Sequence, residues 1–163
     1  MDELFAPPGE AWQRVSPKLR SLYRLVLVVA VSVVAACLVG LSLVWLRSPL
    51  AAGAVVVLAL VVGVAGWIAA ARRQRAWGYA ERAEDLFVTS GVLVRQLVAV
   101  PYGRMQFVDV TAGPLDRYFG IATVRLHTAT PRTDARIPGV VPAEAARLRD
   151  RLTALGGAQA AGL

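Results

Sequence analysis

Residues 25–46 read LVLVVAVSVVAACLVGLSLVWL, and residues 48–71 read SPLAAGAVVVLALVVGVAGWIAAA. Neither run holds a charged side chain, and only Arg47-Ser48-Pro49 separates them. A membrane-spanning helix needs about 20 apolar residues at about 1.5 Å of rise each. Both runs meet that length, so the sequence predicts a transmembrane helical hairpin over residues 25–71. Of the 163 residues, 56% are hydrophobic, and the mean hydropathy of +0.54 is concentrated in this segment.

Charges outside the runs predict the orientation. Arg14, Lys18, Arg20 and Arg24 precede the first span, Arg72, Arg73 and Arg75 follow the second, and the turn between holds Arg47 alone. The positive-inside rule then places both termini in the cytoplasm, as a two-pass protein of the cytoplasmic (inner) membrane. Tyr23, Trp45, Trp67 and Trp77 sit near the span ends, where amphipathic rings anchor at headgroup depth. Arg72, Arg73 and Arg75 are the candidate contacts to anionic lipid.

Inside the hairpin, Ala36/Gly40 and Ala59/Gly63 repeat the small-xxx-small spacing that lets membrane helices approach, either within the hairpin or between copies. With no charged group in either span, a proton relay or ion pathway finds no support. Val34-Ala35-Ala36-Cys37 resembles a lipoprotein cleavage box. The apolar run continues well past Cys37, however, so Cys37 is expected to be a small residue of a membrane helix. As the single cysteine it forms no disulfide framework and no metal-ligand pair.

The formal charge of +7 does not indicate nucleic-acid binding. From Arg72 onward there are 13 arginines and 8 acids, and three of the arginines abut the membrane. The remainder is a mixed, solvated surface.

Four regions follow. Residues 1–24 form a polar cytoplasmic arm broken by Pro7-Pro8-Gly9 and Pro17, and 25–71 form the hairpin. Residues 76–155 form a soluble domain, and 156–163 a flexible tail. In the domain, Thr89-Ser90-Gly91 marks a turn before a β-branched-rich run containing Leu93, Val94, Leu97, Val98 and Val100. Residues 104–111 alternate loosely. Residues 121–128 alternate cleanly, with Ala122, Val124 and Leu126 on one face. Short strands punctuated by Gly and Pro suggest a small barrel or sandwich. From Pro142 the period changes: Ala145, Leu148, Leu152 and Leu155 share one helical stripe, and Gly156-Gly157 is expected to stop that helix. A barrel of about 80 residues has open ends, and a helix with one apolar stripe can close one of them.

The chemistry-bearing stretch is PYGRMQFVDVTAGPLDRYFG, residues 101–120. Gly113-Pro114 initiates a turn, Leu115 to Phe119 makes one helical turn, and Gly120 ends it. Arg117 is expected to reach a carbonyl or a carboxylate such as Asp109, locking a corner between strands. Alternatively Arg104, Gln106, Arg117 and Tyr118 present a surface to a partner, since arginine and tyrosine are enriched at binding hot spots. His127 has no second histidine or cysteine to join it, and is expected to be a surface strand residue rather than a catalytic base. There is no GxxxxGK[ST] cradle and no GxGxxG fingerprint, and Ser90 lies in a turn rather than a nucleophile elbow. No catalytic, cofactor-binding or metal residues are assigned.

The order Trp77-x-Tyr79, Asp85-Leu86-Phe87-Val88, Ser90-Gly91, Val100-Pro101, Arg104-Met105-Gln106, Gly113-Pro114-Leu115, Arg117, Phe119-Gly120, Ala122-Thr123-Val124, Thr128-Ala129 resembles the bacterial pleckstrin-homology-like (PH domain-containing) membrane proteins of the YdbS-like group. The resemblance covers roughly residues 18 to 155 and is most specific at Pro-x-x-Arg-x-Gln and Gly-Pro-Leu-x-Arg-x-x-Gly. It implies a two-helix transmembrane hairpin followed by a PH-like domain, a small bent antiparallel β-barrel capped by a C-terminal amphipathic helix. It also implies a membrane-anchored interaction module without enzymatic chemistry, assembling with another PH-like family member or itself. Some relatives are connected with envelope stress or resistance to membrane-active peptides. The alternative function is sensing of anionic headgroups at the cytoplasmic leaflet. Phosphoinositide binding does not carry over. The loop expected between the first two strands, Glu81-Arg82-Ala83-Glu84-Asp85, holds three acids and one arginine, and would repel an inositol phosphate.

Overall fold

A computed structural model describes residues 12–45, 47–129 and 134–161 of the chain. The expected breakers Pro7-Pro8-Gly9 and the last two residues lie outside that range. Two compact units emerge: residues 20–72 form one, and residues 1–19 with 73–163 form the other.

The first unit holds most of two long helices, α1 (Lys18–Val44) and α2 (Pro49–Arg75). Each is long and apolar enough to cross a membrane, and only 6% of each apolar window is buried by protein. A core helix of a soluble protein would be mostly covered, whereas these surfaces have the exposure and composition suited to lipid. The reversal between them is tight. Arg47 takes the left-handed region at φ 47, and Ser48 caps α2 by accepting a hydrogen bond from Ala51 N–H at 3.2 Å, with Pro49 as the first helical residue. The close approach falls at neither small-xxx-small pair. Space around Gly40 and Gly63 is open, whereas a Cβ on Gly66 would lie 2.6 Å from the Leu27 side chain. The Arg24 guanidinium sits 4.0 Å over the Trp67 ring, tying the helices beside their charged ends. Cys37 lies exposed within α1, as expected of a membrane-helix residue.

In the second unit β1 (Gln13–Arg14), β2 (Gly78–Glu81), β3 (Asp85–Ser90) and β4 (Gln96–Pro101) form one antiparallel sheet in that order. A second sheet contains β5 (Met105–Thr111), β6 (Ala122–Thr128) and β7 (Ala135–Val140). Helix α4 (Pro142–Ala161) closes the core with Ala145, Leu148 and Leu152, each fully buried among Leu86, Val100, Tyr102, Val124, Leu126 and Ile137. The chain thus has the expected order, a hairpin of two membrane-capable helices followed by a small antiparallel two-sheet domain closed by a C-terminal helix.

Three expectations change. The arm before the hairpin is not merely a polar lead: Gln13 and Arg14 pair with Tyr79 and Gly78, and Val15 and Leu19 are buried. The acidic loop therefore joins the second and third strands rather than the first two. Next, Val92, Leu93 and Val94 belong to no strand. Gly91 turns the chain at φ 95, and β4 begins only at Gln96, opposite Ser90. Finally, Gly156-Gly157 does not stop α4, which continues to Ala161. Gly156 lies against Tyr102, where a Cβ would be 3.5 Å from its carbonyl, so packing sustains a helix that local propensity disfavours.

One glycine fixes how the start of α1 docks. In β7 the register slips between the Ala122 and Val124 partners, and Gly139 occupies the slip at φ 73. Its carbonyl accepts a hydrogen bond from Ser16 N–H at 2.8 Å, and an added Cβ would stand 2.7 Å from Leu19 Cβ.

Candidate functional site

The 101–120 stretch resolves into two distinct places. A short 3-10 turn, Tyr102–Arg104, leads into β5, where the register slips between Met105 and Phe107 and leaves Gln106 bulged and exposed. At the far end of β5, α3 (Pro114–Phe119) forms the corner anticipated from the sequence, and Gly120 closes it at φ 62. Asp116 locks this corner by accepting the Gly113 N–H at 3.0 Å. The expected Arg117–Asp109 ion pair does not form among the described residues. Arg117 and Tyr118 instead stand exposed on α3. Seven residues of β5 at about 3.3 Å each put about 20 Å between the Arg104/Gln106 end and the Arg117/Tyr118 end. The four residues therefore make two surfaces rather than one.

The first surface has a shape. Met105, Gln106, Phe107 and Val108 of β5 face Leu152, Thr153, Gly156 and Gly157 of α4 across a groove of about 260 Å³. Strand β5 pairs only with β6 among the described strands, so it is an edge. The glycines that were expected to end the helix form one wall, with open space beyond Gly157.

A polar network missed at the sequence level holds the other part of α4. Arg147 donates from Nε to Glu144 Oε2 at 2.8 Å, and from Nη2 to Glu144 Oε1 and to Glu81 Oε1 on β2. Tyr79 donates its hydroxyl to Glu144 Oε1 at 3.0 Å. Arg151 Nε lies 3.3 Å from Glu81 Oε2, without hydrogen-bond alignment. The Glu81 side chain is only 6% exposed, so these guanidinium groups compensate a buried carboxylate. Hydrogen bonding from Arg147 holds the Glu144 carboxyl below its ordinary range against an opposing effect of burial, with help from Tyr79. Burial, and then the Glu144 carboxylate, push the Tyr79 hydroxyl far up and keep it a donor. The i, i+3 spacing of Glu144 and Arg147 was readable, but their meeting with Glu81 depends on how α4 crosses β2.

The remaining candidates are placed as follows. His127 is half-buried, stacks on Phe107 with ring centroids 4.4 Å apart, and has Nδ1 3.4 Å from Asp134 Oδ2. Asp134 Oδ1 also accepts the Thr128 N–H at 2.9 Å and lies 3.4 Å from the Thr128 hydroxyl, so the carboxylate ties the end of β6, and no metal-binding cluster occurs among the described residues. At the end of α2, Arg72, Arg73 and Arg75 are exposed while Gln74 between them is buried.

Comparison with known proteins agrees with this architecture. The bacterial PH domain family matches residues 21–155, leaving β1 outside the match. The UPF0699 transmembrane protein YdbS of Bacillus subtilis (strain 168) is 37% identical over 83 residues, 51% of this chain and 51% of that protein. The match thus spans about half the length of the curated relative. No solved structure matches. With two membrane-capable helices, two antiparallel sheets and a closing C-terminal helix, and a family match over most of its length, the chain belongs to the bacterial PH domain family.

Proposed function

We propose that this protein is a non-catalytic, membrane-anchored PH-like module that assembles with another membrane protein, a family member or a second copy, at the cytoplasmic membrane with both termini inside. The observation that carries this reading is the groove between the β5 edge and α4. It combines unpaired strand edge with a partly apolar wall, the combination that accepts an extended segment of a partner. Gln106 lines it, and Arg104 is exposed just before β5. The charge asymmetry around the two spans supports the orientation.

A photo-crosslinking residue at Gln106 or Thr153 in the full-length protein tests this in native membranes. Both positions should trap one and the same membrane protein, and Thr153→Trp should abolish trapping from Gln106. Absence of any adduct at both positions, with the purified protein monomeric in mild detergent, would overturn the reading. A second reading, sensing of anionic headgroups, is favoured by the exposed Arg72, Arg73 and Arg75 at the end of α2. It predicts salt-sensitive changes in the soluble unit on adding anionic lipid, lost when these arginines become glutamines.

A further inference from the structure

Strand β3 passes to β4 through Gly91-Val92-Leu93-Val94-Arg95, a tip whose three apolar side chains are exposed. Leu93 is 99% exposed, Val94 72% and Val92 45%. The shape of the tip is enforced: at Gly91 an added Cβ would lie 1.9 Å from the Val94 carbonyl oxygen. Three adjacent apolar side chains held outward at a hairpin tip are costly in water, and this position demands a cover.

Strand register locates that tip. Gly78, three residues beyond the last residue of α2, pairs with Thr89 on one side and with Arg14 on the other. Ser90, the next residue of β3, pairs with Gln96. Arg14 is four residues from the start of α1. Both connections to the spanning helices thus leave the sheet from the end that carries the Val92–Val94 tip. Two strand spacings, about 10 Å, separate Gly78 from β4 in the pairing direction. The opposite end of the same sheet carries the turn after Glu81, with Glu84 and Asp85. One end is therefore apolar with Arg14, Arg75 and Arg95 close to it in sequence, and the turn at the other end holds Glu84 and Asp85 against Arg82, Glu81 being paired with Arg147 and Arg151. An anionic leaflet attracts the first and repels the second.

We propose that the Val92-Leu93-Val94 tip dips into the interfacial zone of the bilayer that α1 and α2 cross, as a second, shallow attachment of the soluble unit. The connections are too short to carry that end of the sheet far from the membrane, so the tip meets lipid at high effective concentration. Burial to the headgroup–acyl boundary, about 5–10 Å deep, suits a tip of three apolar residues flanked by arginine. The proposal rests on the membrane crossing alone and stands or falls separately from partner docking in the β5–α4 groove.

The test uses the full-length protein in nanodiscs of phosphatidylcholine and phosphatidylglycerol, one copy per disc. In a Cys37→Ala background, an environment-sensitive fluorophore is attached through Leu93→Cys, and through Ala83→Cys at the acidic end as reference. At Leu93 the emission should be blue-shifted, quenched by lipids carrying a nitroxide near the headgroup, and several-fold less accessible to aqueous iodide than at Ala83. Val94→Cys repeats the measurement, so the outcome does not hang on one substitution. A Leu93 probe open to iodide and untouched by lipid nitroxide overturns the proposal. Shielding from both quenchers overturns it too, because protein rather than lipid then covers the tip.

Discussion

Gln74 donates a hydrogen bond from Nε2 to the backbone carbonyl of Val15, at 3.1 Å across 59 residues of sequence. The side chain is buried although its neighbours Arg73 and Arg75 are exposed. Through this bond the segment before the first spanning helix and the last turn of the second are fastened within one unit. Replacing Gln74 by Leu keeps the volume but leaves a buried carbonyl unsatisfied. A loss of about 1–3 kcal/mol is expected, read as a lower denaturant midpoint in mild detergent by tryptophan fluorescence.

Arg147 serves two carboxylates at once, and its Nε/Nη2 fork fits Glu144. Arg147→Ala leaves the buried Glu81 with Arg151 alone and should cost about 2–3 kcal/mol in the same assay. Arg147→Lys should restore only part of it, since an ammonium cannot reproduce the planar fork.

Acid should weaken the same junction. The Glu144 carboxyl is held below its ordinary range when folded, so its stabilisation is fully present above the unfolded value, about pH 4.3. That contribution is lost as pH falls through the folded value. Unfolding midpoints measured downward from pH 6 should drop below about pH 4, and Arg147→Ala should flatten that dependence.

Alkali should act through Tyr79. Its hydroxyl is held protonated well above its ordinary range, first by burial and then by Glu144. A raised value stabilises fully below the unfolded pKa, about 10, and the contribution is lost as pH rises beyond it. Stability should therefore fall above about pH 10, and Tyr79→Phe should remove part of that fall while costing a hydrogen bond at neutral pH.

Gly139→Ala combines a left-handed backbone with a collision against Leu19 Cβ. We expect a loss of about 2–4 kcal/mol, and faster amide exchange at Ser16, whose N–H bonds to the Gly139 carbonyl.

Composition and local periodicity by themselves determined the two membrane helices, the change to short strands after residue 76, the corner closed by Gly120, and the stripe of Ala145, Leu148 and Leu152. Each is a run or a repeat within one segment, where burial acts on neighbours in sequence. Only the tertiary structure decided the rest. Gln13 and Arg14 have no strand signal of their own and become a strand because β2 offers them an unpaired edge. Gly156 and Gly157 stay helical because Tyr102 lies against the first of them. Leu93 and Val94 read as strand by side-chain type, yet Gly91 places them in a turn with no core to face. The separation of Arg104 and Gln106 from Arg117 and Tyr118 follows from β5 being extended between them. In every case the deciding partner comes from a distant part of the chain or from backbone geometry, which a local pattern does not encode.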